Sequence, residues 1–120
     1  MRFNSSLNVD LNILGSNVDK LKKLAIGKDI VFMVKSNAYG HGLVPTVSFA
    51  VKELGLKEFG CASLAEACEL RDSLKDDEFD IYVFSDLNLD LKNCAEYYVQ
   101  RRILPVISQM EDLELSLIHI

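Results

Sequence analysis

Apolar residues recur along this chain in two alternating rhythms. Leu11, Leu14, Val18, Leu21 and Ala25 fall three and four apart after Asp10, which is one face of an amphipathic helix, and Gly27 ends it. The run IVFMVK at 30–35 is then continuously apolar up to its lysine, the pattern of a strand covered on both faces, as parallel strands are. Pro45 fits the first turn of a helix, where its missing N–H costs nothing. The inner face of that helix is Val47, Ala50, Val51 and Leu54, and Gly55 stops it. FGCA at 59–62 reads as a second strand. Ser63 and Glu66 form an S-x-x-E capping box that opens a helix through Leu64, Ala67, Cys68 and Leu74, and the acidic turn KDDEFD follows. DIYVFS at 80–85 is a third strand, and after a polar loop Leu91, Cys94, Ala95 and Tyr98 make a third helical face. ILPVIS at 103–108 is a fourth strand, with Pro105 expected near its start because it has no ladder donor. Ser108 and Glu111 repeat the capping box before a last helix carrying Met110, Leu113 and Leu117.

Strands alternating with helices at this spacing predict an α/β protein with a parallel sheet and right-handed crossovers. Periodicity does not choose between an open doubly wound sheet and part of an eight-stranded barrel. In both, ligands gather at the carboxyl ends of the strands, and Lys35 stands at one such end. A lysine there is expected to have its stem in apolar surroundings, where desolvation favours the neutral amine, a nucleophile that condenses with carbonyl compounds. The competing reading is a lysine that snorkels past the strand end. The segment after it favours chemistry: Asn37 and Gly40 tolerate left-handed backbone, Gly42 allows close approach of a ligand, and Tyr39 brings a hydroxyl within a few residues of the amine.

Composition narrows the partners. The 120 residues suffice for one domain and its core, and a 49% hydrophobic, 26% charged makeup is that of a globular protein. No apolar run approaches the roughly 18 residues of a membrane span, and the N-terminus lacks a secretory apolar segment, so the expected location is the cytoplasm. A net charge of −5 without a basic cluster argues against nucleic acid or anionic membrane as partner. Cys61, Cys68 and Cys94 have no metal-ligand spacing and read as reduced, packed thiols. Asp76, Asp77 and Glu78 read as a solvated turn, not a metal site. Glu66, Glu69 and Arg71 are explained by pairing along one helix, Tyr97 and Tyr98 as one exposed and one packed aromatic, and His119 as incidental.

The segment VKSNAYGHG at 34–42 is very similar to the cofactor-lysine signature of the alanine racemases, V-K-A-N-A-Y-G-H-G, departing from it only at Ser36. FGCASLAEACELR resembles the second strand and helix of those enzymes, and ILPVIS with its following helix continues the likeness through essentially the whole chain. The resemblance implies a (β/α)8 barrel, the N-terminal domain of a two-domain homodimer that uses pyridoxal 5'-phosphate to interconvert L- and D-alanine for peptidoglycan. It implies that Lys35 holds the cofactor as a Schiff base and acts as base on the D-alanine face, and that Tyr39 bonds the cofactor phosphate. His41 is expected to support the loop. No metal is implied.

A barrel of this kind needs about 200 residues or more, so residues 1–120 are expected to be its first four β/α units, with the C-terminal β-domain absent. In the family the second base is a tyrosine of that later domain, and the arginine facing the pyridine nitrogen comes from later strands, so neither is assigned here. The chain is expected to be inactive alone. Serine or broad-spectrum racemisation is open as an alternative, as are a non-catalytic half-barrel that captures the cofactor and a folding remnant.

Overall fold

The computed structural model describes residues 4–84 and 91–119; the polar loop before the third helical face lies outside them. Helix α1, Leu11–Leu24, starts where Asp10 caps it, the carboxylate accepting from the Asn12 and Ile13 N–H groups. Its buried stripe is Gly15 and Val18, with Leu14 packed against the core, while Leu21 is exposed. Four strands follow, β1 (Val31–Met33), β2 (Glu58–Cys61), β3 (Asp80–Val83) and β4 (Ile103–Pro105), all parallel in the order β1-β2-β3-β4. Between and after them come α2 (Lys35–Tyr39), α3 (Leu43–Lys52), α4 (Leu64–Ser73), α5 (Leu91–Arg101) and α6 (Met110–His119).

The register makes layers across the sheet. Phe32, Phe59, Ile81 and Ile103 stand side by side, and with Cys61 and Val83 they meet the buried sides of α3, α4 and α5: Val47, Ala50, Ala67, Leu70 and Tyr98. This is the core. Met33, Gly60, Tyr82 and Leu104 form a layer on the other face. A Cβ on Gly60 would sit 2.3 Å from the Met33 sulfur and 2.9 Å from the Phe84 ring, so those two side chains occupy the space that glycine leaves.

The strands were expected to be covered on both faces. The described residues cover one: Val31 is 41% exposed, and Phe84, Leu104 and Val106 are exposed as well. The reason is geometric: α3, α4 and α5 pack their buried residues on the side of Phe59 and Ile81, and the layer on the other face is left largely open. Pro105 also differs from expectation, ending β4 instead of starting it. The Val106 N–H donates to the Val83 carbonyl, so by alternation the proline nitrogen faces the free edge, where no donor is required. The helix α6 begins at Met110, with the Leu113 N–H on the Gln109 carbonyl, one residue later than a box opening at Ser108 requires. Tyr97 is half exposed and Tyr98 fully buried. The side chains of Leu91 and His119 lie outside the described residues.

Arg71 corrects the reading of paired charges along α4. It is 4% exposed and donates to the Arg101, Phe79 and Arg102 carbonyls at 2.9, 2.7 and 3.4 Å, with its guanidinium 4.5 Å from the centre of the Phe79 ring. Burial, and then the nearby Arg102 charge, lower its pKa. Carbonyl dipoles and a ring face, not a carboxylate on the same helix, hold this cation where the chain enters β3 and β4.

The cysteines are free. Burial first, then the charge of Glu66, pushes the Cys61 thiol from 9.0 up to about 12. Because the folded value lies above the unfolded one, the contribution of this thiol to stability is fully present below pH 9 and is lost as the pH rises towards 12. At pH 8, iodoacetamide is expected to leave Cys61 unmodified in the folded chain and to alkylate it in urea, as read by peptide mass; equal labelling in both states would contradict its burial.

Candidate active site

The chain leaves β1 through Val34, whose N–H still donates to the Gly60 carbonyl at 2.8 Å, and then turns at once. Ser36, Asn37 and Ala38 have φ/ψ of 53/52, 55/45 and 54/48, and Tyr39 has φ 54. This is a left-handed helical turn made of non-glycine residues, closed by Gly40 at φ 84. For L-residues that hand costs roughly 1–2 kcal/mol per residue, and consecutive residues in such a state persist only where the surroundings impose it.

The imposing bonds are visible. The Ala38 N–H donates to the Val34 carbonyl at 2.9 Å and the Gly40 N–H to the Ser36 carbonyl at 3.0 Å. Asn37 serves α3: its carbonyl accepts from the Gly42 N–H at 3.0 Å and its side-chain oxygen from the Leu43 N–H at 2.8 Å, satisfying amides that Gly42, without a side chain, cannot cap. His41 Nδ1 donates to the Ala38 carbonyl at 2.8 Å, which puts the proton on Nδ1 because a carbonyl only accepts. Glu66, at the start of α4, accepts from the Ser36 N–H at 2.8 Å and the Ala62 N–H at 3.2 Å.

The structure therefore brings Lys35, Tyr39 and His41 onto one short segment at the carboxyl end of β1. Lys35 is exposed, which corrects the expectation of a stem in apolar surroundings: the face of the sheet away from α3, α4 and α5 is left largely open. Tyr39 is 57% exposed. Tyr39 and His41, with Ala38 and Thr46, line a cavity of about 420 Å3 together with Asp10, Ile13, Leu14 and Asn17 of the α1 region. The arrangement offers an accessible primary amine with an accessible phenol four residues on. Sequence reasoning missed Glu66. The capping box is half made, with Ser63 Oγ accepting from the Glu66 N–H at 3.2 Å, but the carboxylate reaches beyond its own helix to the lysine turn. The signal that could have found it was an acid at the carboxyl end of the neighbouring strand. Among the described residues no group of three or more potential ligands could hold a metal ion, and no helix is long and apolar enough to cross a membrane.

A parallel β/α sheet of four strands with a lysine-bearing turn at the end of its first strand is the architecture of part of a β/α barrel. The chain belongs to the family described as alanine racemase, N-terminal domain, whose model matches residues 9–117. It is 49% identical over 70 residues to the alanine racemase of Limosilactobacillus fermentum, a match covering 58% of this chain and 18% of that enzyme. Among solved structures it is similar to alanine racemase from E. faecalis, with a TM-score of 0.75 and 31% identity over 91% of this chain and 28% of that one. The biosynthetic alanine racemase from Pseudomonas aeruginosa gives a TM-score of 0.75 and 29% identity over 92% of this chain and 29% of that one. The chain thus spans less than a third of the length of these relatives.

Proposed function

We propose that residues 1–120 form the cofactor-lysine part of a pyridoxal-phosphate-dependent alanine racemase, belonging to the N-terminal barrel of a cytoplasmic homodimer whose C-terminal β-domain lies outside this chain. The observation that carries the reading is the accessible Lys35 amine on a left-handed turn at the carboxyl end of β1, in a chain of this family. The donor set fits the cofactor: an amine able to bond covalently to an aldehyde, and a phenol able to donate to a phosphate oxygen. Lys35 would hold the cofactor and Tyr39 its phosphate. When bound, pyridoxal phosphate supplies an electron sink that makes the α-proton of the amino acid removable.

The chain's own contribution to the chemistry is then proton transfer by Lys35 Nζ at the substrate α-carbon, on the face that yields D-alanine. Racemisation needs a second acid–base on the opposite face. Tyr39 and His41 share the lysine's turn, and the His41 Nδ1 proton is committed to the Ala38 carbonyl, so neither is assigned that role. The 120 residues alone are expected to form no D-alanine from L-alanine. Alanine is proposed over serine as substrate because the relatives reported above are alanine racemases, and D-alanine for peptidoglycan is the corresponding role.

The test is borohydride trapping after incubation with pyridoxal phosphate, followed by peptide mapping. A pyridoxyl label on Lys35 that disappears in Lys35→Ala is the expected result. A label confined to other lysines would refute the cofactor assignment, and D-alanine formation by the 120-residue chain would refute its inactivity.

A further inference from the structure

We propose that Glu66 is a positioning residue for Lys35. The direction in which a side chain leaves the backbone is set by the two planar peptides that flank its Cα. On the N-terminal side of Lys35 the Val34 carbonyl is fixed by the Ala38 N–H at 2.9 Å. On the C-terminal side the Ser36 N–H is fixed by Glu66 Oε1 at 2.8 Å. The first bond is internal to the turn and forms only once the turn has its unusual hand. The second comes from another element and fixes the peptide from outside.

Glu66 is itself held. The Ser63 cap takes its N–H at 3.2 Å, and its second oxygen takes the Ala62 N–H at 3.2 Å, just past the end of β2. One carboxylate therefore joins the exit of β1 to the exit of β2, each oxygen accepting from one amide. The Ser36 amide opens the helical turn and has no partner within it, so an anionic acceptor there satisfies a donor that the left-handed backbone leaves over, in a charge-assisted bond stronger than a neutral one. Helix α4 thus sets the aim of the lysine as well as packing the sheet. That Lys35 is the residue whose aim matters rests on the function proposed above; the clamp on the backbone does not.

The test uses the 120-residue chain with Glu66→Gln and Glu66→Ala. Amide hydrogen exchange read by NMR at Ser36 should accelerate about 10- to 100-fold in Glu66→Ala and less in Glu66→Gln, which keeps one acceptor oxygen, while Ile81 in the sheet exchanges as before. The initial rate of pyridoxyl labelling at Lys35, with pyridoxal phosphate as probe, should fall about tenfold in Glu66→Ala while labelling of Lys22 and Lys52 is unchanged. Labelling of Lys35 at the wild-type rate in both variants overturns the positioning role, as does unchanged exchange at Ser36. If Ile81 also accelerates in Glu66→Ala, the Gln variant decides on the same two readouts. A wild-type chain that takes no label at Lys35 refutes the cofactor assignment instead, and exchange at Ser36 alone then supports or overturns the clamp.

Discussion

Replacing Phe59 by alanine is expected to cost about 3–5 kcal/mol, the range for deleting a buried aromatic from a packed core. Phe59 is fully buried, with its ring edge-on to Phe79 at 5.4 Å and tilted against Phe32 at 6.0 Å. It stands in the second strand of the sheet, on the side where α3, α4 and α5 pack their buried residues, so its loss opens a cavity where β1, β2 and the chain entering β3 meet. Domains of this size are stable by only about 5–15 kcal/mol, so the variant should be largely unfolded well below the wild-type urea midpoint. Phe59→Leu, which keeps most of the volume, should lose much less. Urea titrations followed by circular dichroism decide it, and a Phe59→Ala stability within about 1 kcal/mol of wild type would mean that the core lies elsewhere.

A glycine substitution in the lysine turn should have an effect of opposite sign from one in an ordinary helix. Ser36→Gly is expected to stabilise the chain by about 1 kcal/mol, because at φ 53 glycine is free of the Cβ clash, a gain reduced by its greater freedom when unfolded. Ala38→Val should destabilise by about 2–4 kcal/mol, since it places a branched Cβ at φ 54 in a site already 4% exposed. In a right-handed helix interior the glycine change would instead cost about 1 kcal/mol. Chemical denaturation of the two variants against wild type reads both signs; a destabilising Ser36→Gly would show that the turn is not strained. The functional consequence follows from position. A turn that relaxes moves the peptides on which Lys35 sits, so Ala38→Val should also reduce pyridoxyl labelling at residue 35.

Much of this molecule was legible from local pattern. The three-four apolar stripe after Asp10 marked α1, since one wet face and one apolar face are properties of the segment itself. The alternation of apolar runs and amphipathic stretches gave four β/α units, and the position of Lys35 at the end of an apolar run marked the candidate site. These features depend on neighbours a few residues apart. Even so, the signature after the lysine showed only that some left-handed geometry was tolerated at Asn37 and Gly40, not that Ser36, Ala38 and Tyr39 share it.

What the sequence alone determined, then, is the order of elements, the parallel sheet they imply and the amine at its carboxyl edge, because local periodicity and capping are encoded within single segments. Only the tertiary structure decided the hand of the lysine turn, the role of Glu66 and the burial of Arg71. Ser36 is held by a carboxylate thirty residues away, and Arg71 by carbonyls eight, thirty and thirty-one residues on. Nothing in the spacing of those residues along the chain announces that they meet, because their hydrogen-bonding partners are brought together by the packing of the sheet and its helices.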